Sequence, residues 1–162
     1  MRILILFTFL ITNALASELP DLKNLVVHKI PKVYDNVIFL DEADEEINIQ
    51  NIDSRLIILN FWATWCEPCK EEMPSLNRLQ ANKNIDNLKI FPINIGKENL
   101  NKVNTFFADL GIDNLEPYFD NPSTLAKTFS LRGIPTTILL NSKGEEFARV
   151  IGSINFDDEN FI

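Results

Sequence analysis

The stretch Leu56-Ile57-Ile58-Leu59-Asn60-Phe61-Trp62-Ala63-Thr64-Trp65-Cys66-Glu67-Pro68-Cys69 decides the fold. Leu56 to Phe61 is almost continuously apolar and β-branched in part, the pattern of a strand buried on both faces. A helix is predicted from Cys66 towards Ala81, because Met73, Leu76 and Leu79 recur at helical spacing, with Pro74 inside it as a kink. A buried strand thus passes into a helix, and Cys66 falls at the helix N-terminus. Unpaired N–H groups and the helix dipole favour a thiolate there. Cys69, one turn on, is within disulfide reach and more buried.

Two cysteines separated by two residues serve either metal binding or redox chemistry. A structural zinc takes about four ligands, and the sequence offers Cys66, Cys69 and a single histidine, His28. Zinc shared between two chains is one alternative. A static disulfide stapling one helical turn is another, although so small a loop stabilises little. In the redox reading Cys66 attacks and Cys69 resolves the mixed disulfide. Glu72 lies on the same helix face as Cys69, three residues on. Its carboxylate raises a thiol pKa by like-charge repulsion, or serves Cys69 as general base. Glu67, between the cysteines, raises the pKa of Cys66 and selects a basic partner face. Glu71 reads as a solvated surface charge, and His28 as a surface residue without a role.

Outward from this centre, Leu88 to Ile95 reads as a second strand and Asn99 to Leu110 as a helix with Leu100, Val103, Phe106, Phe107 and Leu110 on one side. Pro117 to Phe119 is a short extended piece. Ser123 is the predicted cap of a short helix ending near Phe129. Thr136 to Leu140 and Glu146 to Ile151, around Asn141-Ser142-Lys143-Gly144, form a hairpin. Asn36 to Leu40 and Glu46 to Ile49, around an acidic turn, form another. The order is hairpin, βαβ, helix and a closing ββ pair, which implies an α/β protein with a mixed sheet flanked by helices.

The 162 residues favour one domain. Hydrophobic residues make up 46% and charged residues 23%, which excludes a disordered or collagen-like chain. The net charge of −8 excludes nucleic acid as the main partner. Arg2, the apolar run Ile3 to Leu15 and Ala14-Leu15-Ala16 have the layout of a secretory signal peptide. The run falls short of the roughly 17–25 residues that span a bilayer; an uncleaved anchor over residues 3–15 is the alternative. The expected division is signal 1–16, irregular lead-in 17–35, and a folded domain 36–162. The cysteines are then expected in a periplasmic or other extracytoplasmic, disulfide-permissive compartment.

The Trp-Cys-x-x-Cys motif after a strand resembles the thioredoxin superfamily. Gly133-Ile134-Pro135-Thr136-Thr137 resembles its cis-proline loop. The extended motif from Phe61 to Cys69, followed by Lys70-Glu71-Glu72-Met73-Pro74, is similar to the extracytoplasmic TlpA/ResA/CcmG group of thiol–disulfide reductases. The resemblance covers roughly Val37 to Gly152. It implies a thioredoxin fold with an N-terminal β-hairpin extension, in which Trp62 and Trp65 shape the surface around Cys66. It implies a cis bond before Pro135, against the alternative of an ordinary trans proline ahead of a strand. The Ile134 backbone is then left to pair with a substrate strand. Cys66, Cys69, Glu72 and Pro135 are the implied catalytic set; Trp65, Glu67, Pro68 and Ile134 meet the substrate.

The implied function is reduction of protein disulfides, of the apocytochrome c or copper-site type, by a monomer that a membrane thiol transporter re-reduces. No dissolved cofactor is expected, because the dithiol carries both electrons. A thiol peroxidase is disfavoured by Ala63, where such enzymes need Thr. A copper-binding assembly factor is disfavoured by the Cys spacing and by His28 lying upstream. A non-catalytic interaction domain has no need of two such cysteines. The sequence departs from the family in two places. Only Asn155 to Ile162, about two turns, remains for the final helix, so either that helix is short or the chain is truncated. Gly96 to Asn99 presents no active-site acid that the resemblance carries over.

Overall fold

In the computed structural model, which describes residues 24–120, 124–158 and 161, the chain runs β1 (Leu25–Lys32), β2 (Ile38–Leu40), β3 (Glu46–Asn48), β4 (Leu56–Trp62), α1 (Glu67–Gln80), β5 (Leu88–Asn94), α2 (Leu100–Leu110), β6 (Tyr118–Phe119), α3 (Leu125–Thr128), β7 (Thr136–Asn141) and β8 (Glu146–Ile151). The strands make one eight-stranded sheet in the order β1-β8-β7-β4-β5-β6-β2-β3. β4 is interior, parallel to β5 and antiparallel to β7. The β2–β3 hairpin joins the sheet through β6. This is the mixed sheet that the sequence implies.

Alternation along β4 divides the core. Ile57, Leu59 and Phe61 enter one buried cluster with Phe39, Phe91, Phe129 and Ile138. Ile58 and Trp62 enter another, with Cys66, Cys69, Met73 and Leu76 of the α1 segment and Val103 and Phe107 of α2. A period of two places successive side chains on opposite faces, and both faces here are covered, hence the near-continuous apolar run. Asn60, a polar side chain with no exposed surface in that run, falls on the α1 face. α1 continues through Pro74 to Gln80.

Four expectations need correction. The lead-in is not irregular throughout: β1 pairs with β8, and its pairing slips between Val27 and Lys32. Pro31, which has no N–H to contribute to a ladder, lies within that slip. Second, α3 takes its cap from elsewhere. Ser123 lies outside the described residues, and the Asp120 carboxylate accepts from the N–H groups of Thr124, Leu125 and Ala126. Third, residues 155–158 and 161 form turns instead of a final helix. Asn155 Oδ1 accepts the Asp157 N–H at 3.1 Å, a local bond that competes with helix, and buried Phe156 closes the α1 face. Fourth, His28 is not a free surface residue. Its Nε2 lies 2.6 Å from Oε1 of Glu146, whose side chain is fully buried.

Residues 1–16, expected to be a signal segment, lie outside the described residues. No helix among the described residues is long and apolar enough to cross a membrane.

Candidate active site

The turn from β4 into α1 is closed by the Cys66 N–H, which donates to the Ala63 carbonyl at 3.2 Å. Cys66 has extended backbone and caps α1, its Sγ accepting the Cys69 N–H at 3.3 Å. Pro68 occupies the first turn, where a missing N–H has no helical partner to lose. Cys66 and Cys69 are joined in a disulfide. Cys66 is 5% exposed and Cys69 not at all. In the reduced protein the Cys69 N–H and the helix dipole are placed to stabilise negative charge on Cys66.

Around the pair, Trp65 is 68% exposed, and Glu67 and Pro68 are also exposed. Trp62 does not share that surface. It is fully buried and stacks on Phe107, with ring centroids 5.5 Å apart. Ile134 is half-buried against the cluster holding both cysteines, and the Ile134–Pro135 bond is cis, as the motif implies. Among the described residues, neither the N–H nor the C=O of Ile134 has a hydrogen-bond partner. The Pro135 carbonyl, by contrast, accepts from Gly152 N–H at 2.9 Å.

Glu72 is 2% exposed, on the first turn beyond Cys69. Oε1 accepts from Asn60 Nδ2 at 2.8 Å and Oε2 from the Ile154 N–H at 3.3 Å. Burial pushes its carboxyl from 4.5 up to about 7, and these two bonds only partly oppose that rise. Glu72 is thus poised to hold or release a proton near neutral pH. Glu71 lies on the exposed face of α1.

One acid was missed. Glu98, in the loop between β5 and α2, accepts from the Thr64 N–H at 2.8 Å, from the Thr64 hydroxyl, from Asn94 Nδ2 at 2.9 Å and from Lys102 Nζ at 2.5 Å. Burial alone would raise its carboxyl, but the bonds from Lys102, Thr64 and Asn94 outweigh it and hold Glu98 at about 2. Gly96 permits the close approach, because a Cβ there would lie 2.9 Å from that of Ala63. The signal was topological: β4 and β5 are parallel, so the loops after them lie at one edge of the sheet. Among the described residues, no group of three or more His, Cys, Asp or Glu is placed to hold a metal ion.

A cysteine pair opening a helix after a central strand, faced by a proline loop, defines a thioredoxin-type site. A family model described as thioredoxin-like matches residues 53–146, and the chain belongs to that family. Within it, the thiol-disulfide oxidoreductase ResA of Bacillus subtilis is 27% identical over 119 residues, which are 74% of this chain and 65% of that protein. The chain therefore spans just under two thirds of that relative's length. The crystal structure of StoA from Bacillus subtilis superposes with a TM-score of 0.66 at 28% identity, covering 80% of this chain and 97% of StoA. That of a secreted thiol-disulfide isomerase from Corynebacterium glutamicum shares the fold, with a TM-score of 0.69 at 23% identity, covering 86% of this chain and 89% of its own.

Proposed function

We propose that this protein is an extracytoplasmic thiol–disulfide oxidoreductase that reduces protein disulfides. The observation that carries the reading is the Cys66–Cys69 disulfide at the start of α1, with Cys66 Sγ accepting the Cys69 N–H and Cys69 fully buried. The Cys66 thiolate attacks a substrate disulfide and one substrate thiolate leaves. Cys69 gives its proton to the Glu72 carboxylate and attacks Cys66 Sγ. The second substrate thiolate leaves and takes up a proton, Glu72 being the nearby source. Two electrons pass from the dithiol to the substrate, and no dissolved cofactor takes part.

The unpaired Ile134 backbone supports pairing with an extended substrate segment next to the Pro135 turn. Exposed Trp65, with Pro68, offers that segment an apolar face, and Glu67 favours a basic one. The similarity to the thiol-disulfide oxidoreductase ResA supports the activity. The finer reading is a monomer in which residues 1–16 direct export. It reduces disulfides of the apocytochrome c or copper-site type and draws electrons from a membrane thiol transporter.

The test is the reduction potential of the Cys66–Cys69 pair against a glutathione buffer, together with trapping. A potential well below the glutathione couple supports a reductase; about 30 mV shifts the equilibrium tenfold. Cys66→Ser abolishes exchange, whereas Cys69→Ser accumulates mixed disulfides visible by mass spectrometry. If alkylation of the reduced protein modifies Cys69 first, the two roles are reversed.

A further inference from the structure

We infer that Asn60 is a positioning residue for Glu72, its side-chain amide together with the Thr137 hydroxyl holding the carboxyl group in both of its protonation states. The inference rests on Glu72 exchanging a proton with Cys69 and assigns that exchange a support from the sheet.

Asn60 and Thr137 face each other across β4 and β7, and both are fully buried. Asn60 Nδ2 donates to Glu72 Oε1 at 2.8 Å and to Thr137 Oγ1 at 2.9 Å. Asn60 Oδ1, also buried, has no partner among the described residues. An unpaired buried acceptor is costly, and an apolar residue at this place in β4 would avoid it. The arrangement becomes intelligible when Glu72 is protonated. A half-turn of the amide brings Oδ1 to Glu72, whose O–H then donates to it. The Thr137 hydroxyl, both donor and acceptor, reverses and donates to the same oxygen. Two bonds are made in either state, and one amide atom is left over in either state. The pair therefore gives the carboxyl group an equal number of bonds before and after it takes the Cys69 proton.

The surroundings of Glu72 supply no competing charge. Its own helix presents Cys69, β4 presents Asn60, and the segment after β8 presents the Ile154 N–H. No ion pair to Glu72 is formed among the described residues.

The test uses the full chain, with Asn60→Leu, Thr137→Val, Thr137→Ser and Glu72→Gln. Reduction of glutathione disulfide is followed from pH 5 to 9, and the carbonyl stretch of the buried acid is titrated by infrared difference spectroscopy on the oxidised protein. Although the number of bonds is equal, the one to the ionised carboxylate is the stronger because its acceptor is charged, so Asn60→Leu moves the Glu72 transition up by about one pH unit. The exchange rate at neutral pH then falls about fivefold, and it recovers towards wild type at pH 9, where the acid is again ionised. Thr137→Val moves the transition in the same direction by less, and Thr137→Ser restores it. Should Asn60→Leu fold poorly, the two Thr137 variants carry the test by themselves. Loss of rate at every pH alike, or carbonyl titrations that superimpose on wild type, would overturn the inference. If Glu72→Gln changes neither rate nor profile, the proton-exchange role of Glu72 fails first. If it changes both while the Asn60 and Thr137 variants change neither, only the positioning role fails.

Discussion

Glu72 and Glu146 are equally removed from water, at 2% and 0% exposure, yet their carboxyl groups move in opposite directions. Around Glu146, Arg149 donates from Nε at 2.6 Å and from a terminal nitrogen at 2.7 Å, Tyr34 donates its hydroxyl at 2.6 Å, and His28 lies at the same distance. Burial would raise this acid too, but the bonds from Arg149, Tyr34 and His28 outweigh it and hold it at about 2. Glu72 has only a neutral amide and a backbone N–H, so burial prevails and the group rises to about 7. Desolvation is common to both; a cationic partner is what separates a permanent anion from a group able to carry a proton. The first binds β1, Tyr34 and β8 together. The second stands beside the cysteines.

The sharpest way to break this contrast is to neutralise the anchor. Glu146→Gln leaves Arg149 facing a neutral amide and loosens β1, with an expected loss of about 3–5 kcal/mol. Urea denaturation at pH 7 checks this, and glutathione disulfide reduction by the protein that remains folded should keep its pH profile. The stability contributed by Glu146 is present above the ordinary carboxyl value and disappears as pH falls from 4.5 towards 2.

Glu72→Gln should act with the opposite sign. The folded protein holds the Glu72 proton up to about pH 7, whereas the unfolded chain releases it near 4.5, so stability falls as pH rises through that window. Oxidised Glu72→Gln is therefore expected to gain up to about 3 kcal/mol at pH 8 and to lose that pH dependence. Denaturation curves across pH 4 to 8 decide it. Parallel curves for wild type and variant would mean that Glu72 is not shifted.

Glu98 lies between the two cases: its side chain is 4% exposed, and its cation Lys102 is 56% exposed. Solvent weakens that ion pair, so Glu98→Gln should lose only about 1–2 kcal/mol. Its stabilising contribution is present above the ordinary carboxyl value and fades as pH falls from 4.5 towards 2. Faster amide exchange at Thr64, whose N–H bonds to Glu98, is the local signature; unchanged exchange there would detach Glu98 from the active-site turn.

The same contrast explains what could be read from sequence. β4, α1, β5, α2 and the β7–β8 hairpin are legible because each carries its own periodicity or turn residues. The cysteine pair and Pro135 are legible because their neighbours along the chain define them. β1 is not, since Pro31 disguises it and its partner strand lies at the other end of the chain. His28 cannot be distinguished from a surface residue until β1 docks on β8 and brings Glu146 to it. Asp120 becomes a helix cap, and Asn155 a turn former, only when the backbone has already turned. Helical spacing puts Glu72 one turn beyond Cys69, but its burial depends on the C-terminal segment, where the Ile154 N–H bonds to Glu72 and Phe156 packs on the α1 face.

β1 also has a consequence for the behaviour of many copies together. It ends the sheet, its outer edge is unpaired among the described strands, and it exposes Val26, Val27 and Ile30. An open apolar edge is a template on which a like chain adds a strand, the first step towards a fibre. Lys29 and Lys32 bring like charges together when two such edges meet, and Pro31 leaves a gap in the row of donors. The irregularity that hid the strand from the sequence therefore also makes this edge a poorer template for a second chain.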